Sequence, residues 1–370
     1  MIEQLRGDTV ESRHRVSVAV LDAQGRVVAG AGDPHLVTFM RSAAKPFQAM
    51  PLIEDGAAER FAVSEEEIAL ACASHNSEPY QVDLVRGFLE RIGLSERDLA
   101  CGPHRPLSAD LAIVDADGAT PSAAGADAGG PASSATSPAR PDFGDAGPDA
   151  SAGTPTHIAP RETRRPARSP LASNCSGKHT AMLALARHRG WPTSGYHLAD
   201  HPVQERCRQT VAHWAGVPKN SMGQAVDGCG VVTFALPLSN MALAYAKLAA
   251  SEEPAPRAIV QAMTSHPDLV AGRGRSCTAL MQRYPGRVLA KVGAEGVYGA
   301  ALLDRAIGIA LKVEDGHNWS AVVALLAVLD QLDLDPSPHD LLPEFARIPI
   351  RNTRGEVVGH LRASGRLERV

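Results

Sequence analysis

Aromatic side chains are scarce, at 4% of the chain. A protein that holds single-stranded nucleic acid by base stacking needs a platform of them, so that mode of binding is excluded. A surplus of positive charge is also missing. Against 37 Lys and Arg stand 41 Asp and Glu, and the net charge over 370 residues is −4. Sequence-independent affinity for nucleic acid rests on cations that neutralise phosphates, so a general polyanion binder is excluded as well. No uninterrupted apolar run approaches the length of a membrane-spanning helix. The opening segment, MIEQLRGDTVESRHRV, is charged throughout and lacks the apolar stretch of a secretory signal. These absences predict a cytoplasmic protein that meets neither membrane nor nucleic acid. Its six cysteines (Cys72, Cys101, Cys175, Cys207, Cys229 and Cys277) are dispersed, a pattern that favours free, metal-bound or catalytic thiols over a disulfide framework.

What is present is ordinary core material, with 44% hydrophobic residues, and an excess of turn formers, with 33 Gly and 27 Pro. Part of that excess is concentrated in residues 115–156, where only Arg140 and Phe143 are not Ala, Gly, Ser, Pro, Thr or Asp. Such a stretch buries too little apolar area to offset the entropy of ordering it. Arg161, Arg164, Arg165 and Arg168 follow, broken by prolines, and read as a solvated linker end. The expectation is one domain over 1–370, interrupted by a disordered insertion at 115–170.

The rest predicts an α+β chain. Residues 15–21 alternate and are β-branched, and a turn at 22–25 leads into a second strand at 26–30. A helix is expected over 42–55, with Pro46 in its first turn. Ser64 and Glu67 form a capping box for the next helix, and Pro79 opens another, stopped by Gly93. Helices are also expected at 178–188, capped by Gly190, at 240–250 and at 318–331, and strands at 287–292, 297–303 and 307–312. A hairpin, a helical block and then strands fit one antiparallel sheet packed against the helices.

Three short motifs carry chemistry. Ser42-Ala43-Ala44-Lys45 is an S-x-x-K, which puts a hydroxyl and an amine on one helix face. A desolvated lysine near another cation loses its proton and serves as a base. Ser74-His75-Asn76 is an S-x-N, and Lys291-Val292-Gly293 a K-x-G. Their order is that of serine β-lactamases and penicillin-binding proteins. A second constellation joins Asn174-Cys175-Ser176-Gly177-Lys178-His179 to Asp227-Gly228-Cys229-Gly230. Two Gly-flanked cysteines near a histidine suggest a zinc site, and spacing nominates Cys175, Cys229 and His179, or else two buried free thiols. The pattern is not a phosphate loop, because Ala172 stands where a Gly is required and His179 where a Ser or Thr is. Gly293, Gly296 and Gly299 do not match the dinucleotide fingerprint. Thr9 has too short a segment before it for an N-terminal-threonine hydrolase.

Taken with CGPHRPL (101–107), KVGAEGVYG (291–299) and KVEDGHN (312–318), these motifs resemble the asparaginase II family, the rhizobial-type L-asparaginases. The resemblance runs from about residue 10 to 331. It implies a serine-β-lactamase-like fold, a homodimer, and hydrolysis of L-asparagine to L-aspartate and ammonia. It implies two Ser–Lys pairs, which fall on Ser42 with Lys45 and on Ser74 with Lys291. It also implies one zinc ion per chain on Cys175, Lys178 and Cys229, with Lys178 replacing the His179 that spacing nominates. Ser42 is favoured as nucleophile because its lysine is local, with Ser74 and Lys291 relaying protons. Arg41 and Asp227 are candidates for the substrate's α-carboxylate and α-amine. The chain departs from the family pattern at Ser77, at Gln81 and at Arg275-Ser276-Cys277-Thr278. The alternatives are another serine hydrolase on the same fold (a β-lactamase, D-amino peptidase or esterase) and a non-enzymatic protein that binds amino acids or metal.

Overall fold

The structure, a computed structural model, describes residues 1–107 and 168–370. Of the expected insertion, 115–167 lies outside the described residues, as do Arg161, Arg164 and Arg165. At the edges of the described segments, His104 and Ser169 exchange backbone hydrogen bonds of 3.1 and 3.0 Å as an isolated antiparallel bridge.

The architecture is α+β with antiparallel sheets. Six strands form the main sheet in the spatial order Glu368–Arg369, Val27–Ala31, Val16–Asp22, Ile307–Val313, Val297–Leu302 and Val288–Val292. The N-terminal hairpin thus pairs with strands from the far end of the chain, Val18 opposite Leu311 and Leu311 opposite Tyr298. Val16–Leu21 is buried on both faces, so the strand reads as a continuous apolar run. The Leu238–Ala250 and Asn318–Gln331 helices both pack against this sheet. The first approaches so closely that a Cβ on Gly308 would stand 1.9 Å from the Ala242 carbonyl. A glycine there is a requirement of packing.

A four-stranded sheet joins Pro349–Arg351, Val357–Ala363, Ile2–Arg6 and Thr9–His14, and a three-stranded one joins Val37–Phe39, Val232–Pro237 and Gly223–Val226. At the centre of the helical block lies Lys45–Glu54, buried almost throughout and packed on Pro202–Ala215, Ser176–Arg189 and Pro254–Ser265. The expected start of that helix at Ser42 is a 3-10 turn, Arg41–Ala44, and the α-helix proper begins at Lys45 with Pro46 in its first turn. This turn touches Val288–Val292, Val297–Leu302 and Val232–Pro237, so the S-x-x-K motif sits where the helical block meets two sheets. The Glu65–Ala71 helix carries the expected Ser64–Glu67 capping box, and Pro79–Arg91 and Ser176–Arg189 also form as read, the latter ending on left-handed Gly190. Among the described residues no helix is long and apolar enough to cross a membrane.

Candidate active site

Ser74 lies just beyond the Glu65–Ala71 helix, with its N–H fixed on the Val270 carbonyl at 2.8 Å. Its Oγ is buried and accepts from two lysines that lie far apart in sequence. Lys45 Nζ is 3.0 Å away and Lys291 Nζ 2.8 Å. Lys45, fully buried on the central helix, also donates to the carbonyls of Ala73 and Asn174. Lys291 donates to the Val292 carbonyl at 3.0 Å. No hydrogen bond among those described joins Lys45 to Ser42, the serine of its own motif. Ser42 nevertheless stands three residues before Lys45 across a 3-10 turn, where positions i and i+3 eclipse. Unlike Ser74 it is only partly buried.

Burial pulls the Lys291 ammonium down to about 7, and the charge of Lys45 pulls in the same direction, with Arg275 adding to it. An amine at that value exchanges protons near neutrality, as a general base requires. Two amines share one hydroxyl here, and the single Ser74 O–H can point to only one of them. The trio is a hydrogen-bonded chain from Lys45 through Ser74 to Lys291.

Several neighbours hold this arrangement. Tyr245 OH donates to the Ala43 carbonyl at 2.8 Å and fixes the S-x-x-K turn. His75 shares a 2.9 Å hydrogen bond with Ser176 Oγ. Burial, then Lys45, lowers its pKa to about 3, so it stays neutral. A Cβ on Gly177 would lie 2.3 Å from the Leu70 carbonyl. That glycine is what lets the Ser176–Arg189 helix approach and bring the Asn174 carbonyl to Lys45.

The second constellation adjoins the first. Cys175 precedes the Ser176–Arg189 helix, Lys178 lies in its first turn, and Cys229 sits on the turn at 227–230. Lys178 Nζ is 3.2 Å from Cys229 Sγ. The neighbouring Cys175 thiol lowers the Cys229 pKa to about 5 despite burial, and Lys178 assists. Burial works against the Lys178 charge, yet Cys229, Cys175 and Asp227 hold its pKa above the ordinary lysine value. His179, the ligand that spacing nominates, instead bonds Tyr196 OH through Nδ1 at 2.6 Å. Among the described residues no three His, Cys, Asp or Glu side chains converge as a metal cluster.

On the rim, Arg41 Nε is 2.7 Å from Asp227 Oδ1 and its Nη1 3.9 Å from Glu295 Oε1. Arg41 holds a left-handed backbone, φ +50°, which costs a non-glycine residue roughly 1 kcal/mol or more and persists only where packing imposes it. Sequence reasoning passed over two parts of this site. One is the Asn174 carbonyl. The other is the pair of Arg275 Nη1 and Asn76 Oδ1, 3.0 Å apart, which sets a further cation near Lys291. The R-S-C-T stretch was a signal for Arg275, but it was read there only as a departure from pattern.

A family model described as L-asparaginase II matches residues 2–124 and 146–363. The chain belongs to the L-asparaginase II family. Membership makes it an asparaginase-type hydrolase. The gap in the match, 125–145, falls within the low-complexity stretch. A search of curated proteins returns no match.

Proposed function

We propose that this L-asparaginase II family protein hydrolyses L-asparagine to L-aspartate and ammonia by Ser–Lys catalysis. The observation that carries the proposal is Ser74 Oγ held between Lys45 and Lys291. Ser42 attacks the side-chain amide carbon, being the less buried of the two serines. Lys45 first passes a proton through the Ser74 hydroxyl to Lys291, which its lowered pKa leaves partly neutral, and so vacant, near pH 7. It then takes the Ser42 proton. The tetrahedral intermediate collapses, ammonia departs with a proton returned along the same path, and water hydrolyses the acyl-enzyme. Arg41 takes the substrate's α-carboxylate, with Asp227 orienting the guanidinium. A second reading makes Ser74 the nucleophile, and one specific observation favours it, since both amine contacts fall on Ser74.

The layout also supports a serine-β-lactamase-like fold, with the S-x-x-K lysine opening the central helix and Lys291 on the edge strand of the six-stranded sheet. Zinc fits Cys175, Lys178 and Cys229 by donor chemistry. Cys229 is readily a thiolate, and the 3.2 Å from Lys178 to Cys229 approaches the edge of about 3.6 Å that a sulfur and a nitrogen share at usual zinc distances. Lys178 must give up its proton to bind, so metal uptake releases protons. Bound there, zinc supplies fixed positive charge beside the pocket. The family resemblance further implies a homodimer, which sedimentation of the purified chain would check, and the charged opening segment implies a cytoplasmic location.

Ammonia release from L-asparagine and L-glutamine, set beside hydrolysis of a chromogenic β-lactam and of a p-nitrophenyl ester followed by absorbance, separates this function from its rivals. L-asparagine is expected to be the preferred substrate. Replacing Ser42 by Ala is expected to abolish turnover, and retention of more than a few per cent would move the attack to Ser74. Peptide mapping of the trapped acyl-enzyme decides between the two serines.

A further inference from the structure

A free amino acid brings an ammonium as well as a carboxylate, and the interior of this pocket is hostile to it. Lys45, Lys291, Lys178 and Arg275 all face the region of Ser74 and Cys229. The ammonium therefore needs a carboxylate on the rim, and three stand near. Asp227 is only 10% exposed and is already engaged by Arg41 Nε and the Gly228 N–H. Glu78, 11% exposed, is taken up by the Arg273 N–H and by Asn76. Glu295 is 63% exposed, and its contact with Arg41 is long, at 3.9 Å. Asp227 Oδ2 also keeps acceptor capacity, with only Cys229 Sγ at 4.0 Å, but Glu295 is the most exposed of the three and the most open to an incoming cation.

Glu295 is also held in place. It occupies the turn after Lys291 with φ +57°, a backbone that costs a glutamate energy and that tight surroundings must impose. Lys312 Nζ donates to the Glu295 carbonyl at 2.6 Å, and the next residue, Gly296, donates its N–H to Asn318 Oδ1 at 2.9 Å. A Cβ on Gly316 would come within 2.8 Å of Glu295 Oε2, so the glycine of the 312–318 segment leaves the room in which that carboxylate sits.

We propose that Glu295 receives the substrate's α-ammonium while Arg41, beside it, receives the α-carboxylate, which makes Glu295 the residue that selects free amino acids over N-blocked ones. The inference rests on the asparaginase reading above and adds to it the group that recognises the amine. An ammonium–carboxylate contact of this kind is a charge-assisted hydrogen bond. Removing it is expected to weaken binding roughly 10- to 100-fold.

The test uses the full chain and two readouts. In the first, titration calorimetry with L-aspartate and N-acetyl-L-aspartate needs no turnover. Wild type is expected to favour the free amino acid, and Glu295→Gln to lose about tenfold or more of that preference, with Glu295→Asp restoring part of it. In the second, ammonia release, Glu295→Gln is expected to raise KM for L-asparagine with kcat within about threefold of wild type. An unchanged preference in Glu295→Gln overturns the assignment and leaves the hydrolase standing. A wild-type chain that releases no ammonia from L-asparagine overturns the hydrolase reading and the assignment with it. Because Glu295 is exposed, neither variant threatens the fold.

Discussion

Lys291 and Lys178 are both buried and both touch a potential nucleophile, yet their proton affinities diverge. Lys291 touches a hydroxyl and has Lys45 and Arg275 for neighbours, so desolvation and like charge act together and bring it to about 7. Lys178 touches a thiol with a second thiol and a carboxylate nearby, and these anions outweigh the same desolvation and push it upward. Burial alone thus says nothing about whether a lysine is a base or a fixed cation; the sign of the second charge decides. One lysine is set to move protons, and the other to pair with sulfur.

The sharpest way to break this contrast is to remove the base. Lys291→Met keeps the apolar stem and deletes the amine. Ammonia release is expected to fall by roughly 10²- to 10⁴-fold, and the limb of kcat/KM that rises with pH near 7 is expected to vanish from the pH–rate profile. A limb that survives would place the titrating group elsewhere.

Removing the anion on the other side should make Lys178 resemble Lys291. Cys229→Ala strips the thiolate that holds it charged. The metal content of the purified variant, by elemental analysis, is expected to drop from about one zinc per chain to a small fraction. Without metal the variant is expected to unfold at lower urea concentration, because a buried ammonium has lost its partner. Unchanged zinc would remove Cys229 from the ligand set.

The smallest effect is on stability. The folded-state pKa of Lys291 is about 7, whereas an unfolded lysine titrates near 10.4. Between those values the unfolded chain binds the extra proton, so this group makes stability rise with pH from about 7 to 10, by at most about 1.4 kcal/mol per pH unit. Urea midpoints of wild type should climb across that window more steeply than those of Lys291→Met. Parallel curves would mean that Lys291 is not desolvated as described.

Local signals were legible where local chemistry decides. The Ser64–Glu67 capping box, the Gly190 stop and the alternation of 15–21 each state their structure within a few residues. The Pro202–Ala215 helix was missed although it carries such signals, Pro202 in its first turn and Gly216 as its left-handed cap. The strands Ile2–Arg6 and Thr9–His14 were missed for a better reason. Their sequences, IEQLR and TVESRH, are largely polar and do not alternate; the first is nevertheless mostly buried and the second mostly exposed. In the site, the motifs and the family resemblance point to Ser42, Lys45, Ser74 and Lys291 and pair Lys291 with Ser74, which it does touch, but they pair Lys45 with Ser42, whereas its hydrogen bond goes to Ser74. Lys45 and Lys291 meet Ser74 across 29 and 217 positions, and contacts at that range follow from how sheet and helices pack rather than from any local pattern.

The His104–Ser169 bridge has a further consequence for how the chain can be cut and rejoined. It brings residues 104 and 169 side by side, so a chain cut between them keeps its two new ends adjacent. The native ends are also near each other. Ser364 N–H donates to the Met1 carbonyl at 3.0 Å, and only six residues separate Ser364 from the terminus. A circular permutant that begins at 168, runs through a short linker from 370 to 1 and ends at 107 is therefore expected to fold and to release ammonia. Both new termini would lie beside the bridge, and the Ser74 site would keep every contact described for it.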